Sequence, residues 1–90
     1  MRVLEDECAA AGIDLRQVVS IARRISRAAR EAEQLGLQVF GGSGGSLRWA
    51  ADPDHLEGNL VLAHLDGSYD GGDGAEHFDA SGLMRGESSR

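Results

Sequence analysis

Residues 13–36 read IDLRQVVSIARRISRAAREAEQLG, and this stretch decides the fold. Its apolar residues recur at alternating spacings of three and four, the period of one face of an α-helix. Asp14 is a good N-terminal cap with Gln17 three residues later, and Gly36 supplies a left-handed C-terminal cap. The pattern predicts an amphipathic helix of about 20 residues, roughly 30 Å long. Its apolar stripe consists of Leu15, Val18, Ala22, Ile25, Ala29 and Ala32, flanked by Ile21, Ala28 and Leu35.

The rest of the chain supplies one more helix and a small sheet. Residues 2–11 are helix formers with acidic residues in the early turns, and Gly12 ends them. After Gly36 the apolar period changes to two, which predicts strands at residues 37–40, 46–50 and 60–65. The glycine-rich loop at residues 41–46 lacks the lysine and the following helix of a phosphate-binding loop, so we interpret it as a hairpin tip.

This order predicts an α+β fold. We expect a short N-terminal helix and a long amphipathic helix packed on a three-stranded antiparallel sheet, followed by a Gly/Asp-rich C-terminal tail. Residues 1–85 form a single domain in this prediction, with a short last strand at Leu83 and Met84, and residues 86–90 are a frayed tail. A domain of 90 residues has a thin core. The apolar stripe of the Leu15–Leu35 helix is therefore also a candidate homodimer interface.

Composition restricts the compartment and the partners. Cys8 is the only cysteine, and no stretch approaches the roughly 18 apolar residues of a membrane span. Because the N-terminus also lacks the basic start and apolar run of a signal peptide, we expect a cytoplasmic protein without membrane association. The net charge is −6 and unevenly placed. Residues 1–50 carry seven arginines against six acids, whereas residues 51–90 carry two arginines against nine acids.

The acidic second half predicts a protein partner with a basic surface. Negative potential on this half attracts such a surface and gives the contact its specificity. We therefore expect a protein-binding function through an acidic patch. The patch residues are Asp52, Asp54, Glu57, Asp66, Asp70, Asp73, Glu76 and Asp79.

A divalent-cation site is the alternative for the same aspartates. Asp66, Ser68 and Asp70 followed by Gly71 match the start of a calcium loop, with oxygen ligands at alternating positions and then a glycine. The match fails at its twelfth position, where His77 stands in place of a glutamate. This interpretation predicts Ca²⁺ as the cofactor, whereas the acidic-patch interpretation predicts none. Its ligands would be Asp66, Ser68, Asp70, Asp73 and Glu76.

Two further functions have weaker support. The basic face of the long helix carries Arg16, Arg23, Arg24, Arg27 and Arg30. Five arginines on one face can contact phosphate, but the net negative charge of the chain opposes it, so we do not expect direct nucleic-acid binding. The three histidines and the loop serines form no catalytic spacing. We therefore expect no enzymatic activity.

Two stretches that together cover about half of the chain carry a resemblance to known proteins. Residues 21–48 (IARRISRAAREAEQLGLQVFGGSGGSLR) and 59–74 (NLVLAHLDGSYDGGDG) are similar to small accessory proteins of bacteriophages and prophages in GC-rich hosts, anti-CRISPR proteins among them. This resemblance implies an inhibitor that occupies a partner-binding or nucleic-acid-binding surface of a host protein. It also implies that the chain acts in the cytoplasm of the host cell.

Overall fold

The computed structural model describes residues 1–72 and 74–86 of the chain. Two α-helices come first, followed by five short strands. Their order confirms the predicted α+β class. The elements are α1 (Glu5–Ala11), α2 (Leu15–Gln34), β1 (Leu37–Phe40), β2 (Ser46–Trp49), β3 (Val61–His64), β4 (Glu76–Phe78) and β5 (Met84–Gly86).

Both helices end at the glycines that the sequence indicates. Gly12 and Gly36 have φ values of 70° and 76°, the left-handed conformation that a glycine adopts without a steric penalty. Asp14 caps α2, because its Oδ1 accepts the backbone N–H of Arg16 at 2.8 Å. The first helix is shorter than predicted. It begins at Glu5 rather than at Arg2.

Strands β1, β2 and β3 form the predicted three-stranded antiparallel sheet, in that order. In the first pair Val39 lies opposite Leu47, which places both on one face. The register between β2 and β3 shifts at Leu47 and Arg48, where a bulge adds one residue to β3. On the opposite face the guanidinium of Arg48 lies 3.8 Å from the centre of the Phe40 ring, a cation–π contact.

Strands β4 and β5 form a separate antiparallel hairpin in which Phe78 lies opposite Met84. The sequence predicted a last strand near Met84, but it did not predict β4. Glu7 in α1 accepts the backbone N–H of Met84 at 2.6 Å, which attaches the hairpin to the first helix. The predicted frayed tail began at Gly86, whereas Gly86 is the last residue of β5 and pairs with Glu76.

The described residues cluster into two compact units. One unit holds residues 1–26 and the described part of 72–90, and the other holds residues 27–71. The first unit contains α1 and the β4–β5 hairpin. The second contains the three-stranded sheet and the two loops that join its strands.

Helix α2 buries less of its apolar stripe than the sequence predicts. Within the described chain, Ala32 is the one hydrophobic residue that is buried. Leu15, Val18, Ala22 and Ala29 are half-buried. Ile25, predicted to face the core, is 63% exposed. Part of the predicted apolar stripe is therefore exposed rather than buried.

The glycine-rich loop between β1 and β2 packs against the segment that follows β3. A Cβ atom at Gly45 would lie 2.7 Å from the ring of Tyr69, and one at Gly71 would lie 2.9 Å from the Cα of Gly42. The N–H of Leu65 also donates to the carbonyl of Gly45 at 3.0 Å. Such close approaches require glycine. The start of the predicted solvated tail is thus held against the hairpin tip.

Candidate functional site

The loop between β2 and β3 is organised by one carboxylate. Asp52 is buried, with 7% of its surface exposed. Its Oδ1 accepts the N–H of Asp54 at 2.8 Å, and its Oδ2 accepts the N–H of Leu60 at 3.1 Å. Aspartates commonly accept the N–H groups of a turn in this way.

The same loop is also attached to the end of β2. The side-chain amide of Asn59 donates to the carbonyl of Trp49 at 2.7 Å. The N–H of Trp49 in turn donates to the carbonyl of Leu60 at 2.9 Å. Between these fixed ends lies a 3₁₀ turn, His55–Glu57. The backbone that carries Leu56 is therefore held from both sides.

Leu56 is the most exposed large hydrophobic residue of the described chain, with 93% of its surface accessible. It borders an open groove beside the ring of Trp49 and the side chain of Leu60, which is also exposed. We call this surface the Leu56 groove. It is lined by Trp49, Asp52, Pro53, Asp54, Leu56, Glu57, Gly58 and Leu60.

Two residues of the predicted acidic patch lie on the rim of this groove. Asp54 and Glu57 are both exposed and both line it. Asp52 lies in the same loop, but its oxygens accept backbone N–H groups of the loop. The prediction that Asp52 faces a partner is therefore corrected, because its carboxylate holds the loop together.

The remaining patch residues belong to other segments of the chain. Asp66 and Asp70 are exposed in the segment after β3, whereas Glu76 and Asp79 belong to the other unit. Asp73 lies outside the described residues. The seven patch residues that the structure describes are thus distributed over two units, and among them Asp54 and Glu57 line the Leu56 groove.

Asp79 organises the turn of the β4–β5 hairpin. Arg85 donates through Nε to Asp79 Oδ2 at 2.6 Å, and the N–H groups of Ser81 and Leu83 donate to Oδ1 at 2.9 and 3.0 Å. The hydrogen bond from Arg85, and then those from the two N–H groups, lower the pKa of Asp79 below its ordinary value of 3.8. Asp79 therefore has the same kind of role as Asp52.

The described residues include only part of the predicted set of calcium ligands. No group of three or more histidine, cysteine, aspartate or glutamate side chains lies close enough there to hold a metal ion. The predicted site includes Asp73, which is outside that part. Binding of Ca²⁺ by Asp66, Ser68, Asp70, Asp73 and Glu76 stays a prediction.

The arginine face of α2 is exposed to solvent. Arg16 lies 3.8 Å from the carboxylate of Asp14, a solvent-exposed pair of little energetic weight. In residues 1–72 and 74–86 the other recorded ion pair joins Arg85 and Asp79. Across the same residues, no helix is both long enough and apolar enough to cross a lipid bilayer.

The Leu56 groove was missed by the sequence analysis, which noted only the charges of this loop. Leu56 stands between His55 and Glu57, outside any helical or alternating pattern, so no periodicity marks it as buried or exposed. The available signal was a leucine inside a turn bounded by Asp52 and Gly58, where a large apolar residue has few neighbours to cover it.

Comparison of the chain with protein-family models, with curated proteins and with solved structures finds no match. The residues and contacts of the chain itself therefore carry the functional argument.

Proposed function

We propose that this chain is a protein-binding protein whose Leu56 groove binds a basic surface of another protein. The observation that supports this proposal best is Leu56 itself. It is 93% exposed on a loop whose backbone is fixed by hydrogen bonds at both ends. An apolar side chain that points into solvent contributes little to the stability of the free chain. It is, however, well placed to insert into a partner.

The expected gain from burying Leu56 is large for a single residue. Full burial of a leucine is worth about 1.5–3 kcal/mol. In most interfaces a small number of buried residues supplies most of the binding energy. A loop that is already ordered loses little conformational entropy when it binds. Asp52 and Asn59 provide this order, so we assign them a positioning role in binding.

The rim charges define the chemistry of the partner. Asp54 and Glu57 border an apolar centre, so the complementary surface carries arginine or lysine next to an apolar side chain. The net charge of −6 adds a long-range attraction toward a basic protein and a repulsion from nucleic acid. The proposed partner is therefore a protein.

The proposed mode of action is occlusion. By covering a basic surface, the chain competes with whatever that surface otherwise binds, and this step requires no catalytic group and no cofactor. The resemblance to phage accessory proteins supports the same mode, with a host protein as the partner and the host cytoplasm as the compartment.

A peptide-display experiment tests this proposal with a defined probe. The immobilised chain is screened against a random peptide library, and a Leu56→Ser variant is screened in parallel. We expect the wild-type chain to enrich peptides that combine basic and large apolar residues, and the variant to lose them. The matched control is Leu62→Ser, the same substitution at an exposed leucine of β3 outside the groove.

Two results would contradict the proposal. One is enrichment of the same peptides by Leu56→Ser and by the wild-type chain. The other is an equal loss in Leu56→Ser and Leu62→Ser, because this would reflect general hydrophobic adsorption rather than binding in the groove.

A further inference from the structure

Trp49 gives the Leu56 groove an aromatic wall. It is the only tryptophan of the chain and lies half-buried at the end of β2. The rest of its surface is accessible, and it lines the groove together with Leu56 and Leu60. The face of an indole ring attracts cations more strongly than that of any other aromatic side chain. The groove therefore offers a surface for a positive charge as well as for an apolar side chain.

Trp49 is held in place from several sides. Its carbonyl accepts the side-chain amide of Asn59 at 2.7 Å and the N–H of Asp52 at 3.2 Å, and its own N–H donates to Leu60 at 2.9 Å. The indole Nε1 lies close to Gly36, where an added Cβ would be 3.8 Å away. A residue fixed in this way loses little conformational freedom when a ligand covers it.

The groove has negative charges on its rim and no cation of its own. Asp54 and Glu57 line it, and the ion pairs recorded for the described residues include neither of them. Among the described residues that line the groove there is no arginine or lysine. Arg48 precedes Trp49 in β2, but its guanidinium lies over the ring of Phe40 on the opposite face of the sheet. The complementary positive charge must therefore come from the bound molecule.

An arginine fits these groups better than a lysine. Its guanidinium is planar, so it stacks on an aromatic face while its N–H groups donate sideways to carboxylates. The chain shows this kind of arrangement at Arg48, which lies 3.8 Å from the centre of the Phe40 ring while its Nε donates to Ser46 Oγ at 3.1 Å. The ammonium of lysine is compact and more strongly hydrated, and it has no face to stack.

We propose that the Leu56 groove binds an arginine side chain of the partner, with the guanidinium against Trp49 and hydrogen bonds to Asp54 and Glu57. The methylene groups of this arginine pack beside Leu56. Trp49 is then the residue that selects arginine over lysine. This inference rests on the proposed protein-binding function and deepens it, because it names the side chain that the basic surface contributes.

Three short peptides that differ in one side chain provide the test. Their sequence is acetyl-Gly-X-Leu-Gly-amide, where X is arginine, lysine or citrulline. Citrulline has nearly the shape of arginine but no charge. Each peptide is titrated into the full chain. Binding is measured by calorimetry and, in parallel, by the fluorescence of Trp49, which is the only tryptophan present.

We expect the arginine peptide to bind saturably and to change the Trp49 fluorescence. The lysine peptide should bind roughly threefold more weakly and the citrulline peptide roughly tenfold more weakly. Glu57→Gln removes one acceptor and should lower the ratio of arginine to citrulline affinity by about threefold. The matched control is Asp66→Asn, outside the groove, which should leave this ratio nearly unchanged because salt screens such a charge.

Four results would overturn the arginine proposal. They are no saturable binding of the arginine peptide at millimolar concentration, equal affinities for the three peptides, binding without a change in the Trp49 fluorescence, and equal effects of Glu57→Gln and Asp66→Asn. Equal affinities that are all lost in Leu56→Ser would leave the protein-binding function standing. That function fails instead when Leu56→Ser and the wild-type chain enrich the same peptides from the display library.

Discussion

The carboxylate of Asp52 accepts a hydrogen bond from the backbone N–H of Leu60 at 3.1 Å, and this bond closes the loop that displays Leu56. A buried carboxylate with two loop N–H donors fixes the loop more strongly than neutral turn contacts would. Asp52 is eight residues before Leu60, so one side chain, together with Asn59, provides much of the local order that the proposed binding requires.

Replacing Asp52 should loosen this loop. We expect Asp52→Asn to lower the free energy of unfolding by about 1–3 kcal/mol, because one of two backbone donors loses its acceptor. The matched control is Asp54→Asn, an exposed change expected to stay within about 0.5 kcal/mol. Urea unfolding measures both. An equal effect of the two variants would contradict the role assigned to Asp52.

Gly45 should tolerate a side chain less well than its neighbour Gly44. Both have positive φ, so alanine at either position carries a backbone strain of roughly 1–3 kcal/mol. A Cβ at Gly45 would also meet the ring of Tyr69, whereas one at Gly44 meets nothing within 4 Å. We expect Gly45→Ala to lose a further 1–3 kcal/mol or so, typical of overpacking. Thermal unfolding of both variants decides this, and equal losses would mean that Tyr69 does not pack on Gly45.

The β4–β5 hairpin should open in acid. The hydrogen bond from Arg85 and those from Leu83 and Ser81 lower the pKa of Asp79. The ionised Asp79 therefore stabilises the folded hairpin fully at pH values above the ordinary pKa of 3.8. This stabilisation is lost as the pH falls below that value through the lowered pKa. The amide signal of Leu83 in an NMR titration reports this change.

Asp79→Asn is the control for the acid transition. This variant keeps the shape of the side chain but no longer titrates, so the Leu83 signal should lose its acid-dependent shift. If the hairpin of the variant opened at the same pH as that of the wild-type chain, another group would be responsible.

A thermal melt with Ca²⁺ tests whether the predicted ion site exists. If the aspartates of residues 66–73 only face solvent or a partner, millimolar Ca²⁺ should leave the melting temperature of chelator-treated protein unchanged. A clear rise that is lost in Asp70→Asn would instead assign these aspartates as ligands, because a ligand that binds only the folded state stabilises it. Magnesium in a parallel melt tests the selectivity.

The local elements of this fold were predictable because their signals lie within a few residues. The helix ends are set within single turns, by the cap at Asp14 and by the left-handed glycines Gly12 and Gly36. The first two strands, at residues 37–40 and 46–49, pair across one short loop. Strand β4 escaped prediction because its partner β5 lies beyond a turn fixed by Asp79. The Asp79 carboxylate makes these hydrogen bonds only once the turn has folded. No residue pattern in the sequence indicates that turn.

For the Leu56 groove, the sequence predicted only the negative charge of the rim. The sequence marks Asp54 and Glu57 as acidic, but it cannot indicate that Asp52 turns both oxygens inward or that Leu56 is left uncovered. Exposure is a property of tertiary packing. The same reason explains Ile25, whose helical position predicts burial but whose side chain is exposed.

The most direct test of the protein-binding function is a comparative capture from the lysate of a GC-rich bacterium, at two salt concentrations. The wild-type chain, Leu56→Ser and the control Leu62→Ser are immobilised in equal amounts, and the captured proteins are quantified. We expect a basic protein that is captured by the wild-type chain and by the control, more weakly at high salt, and lost with Leu56→Ser. Capture of the same proteins by Leu56→Ser and by the wild-type chain would contradict the proposed role of the groove.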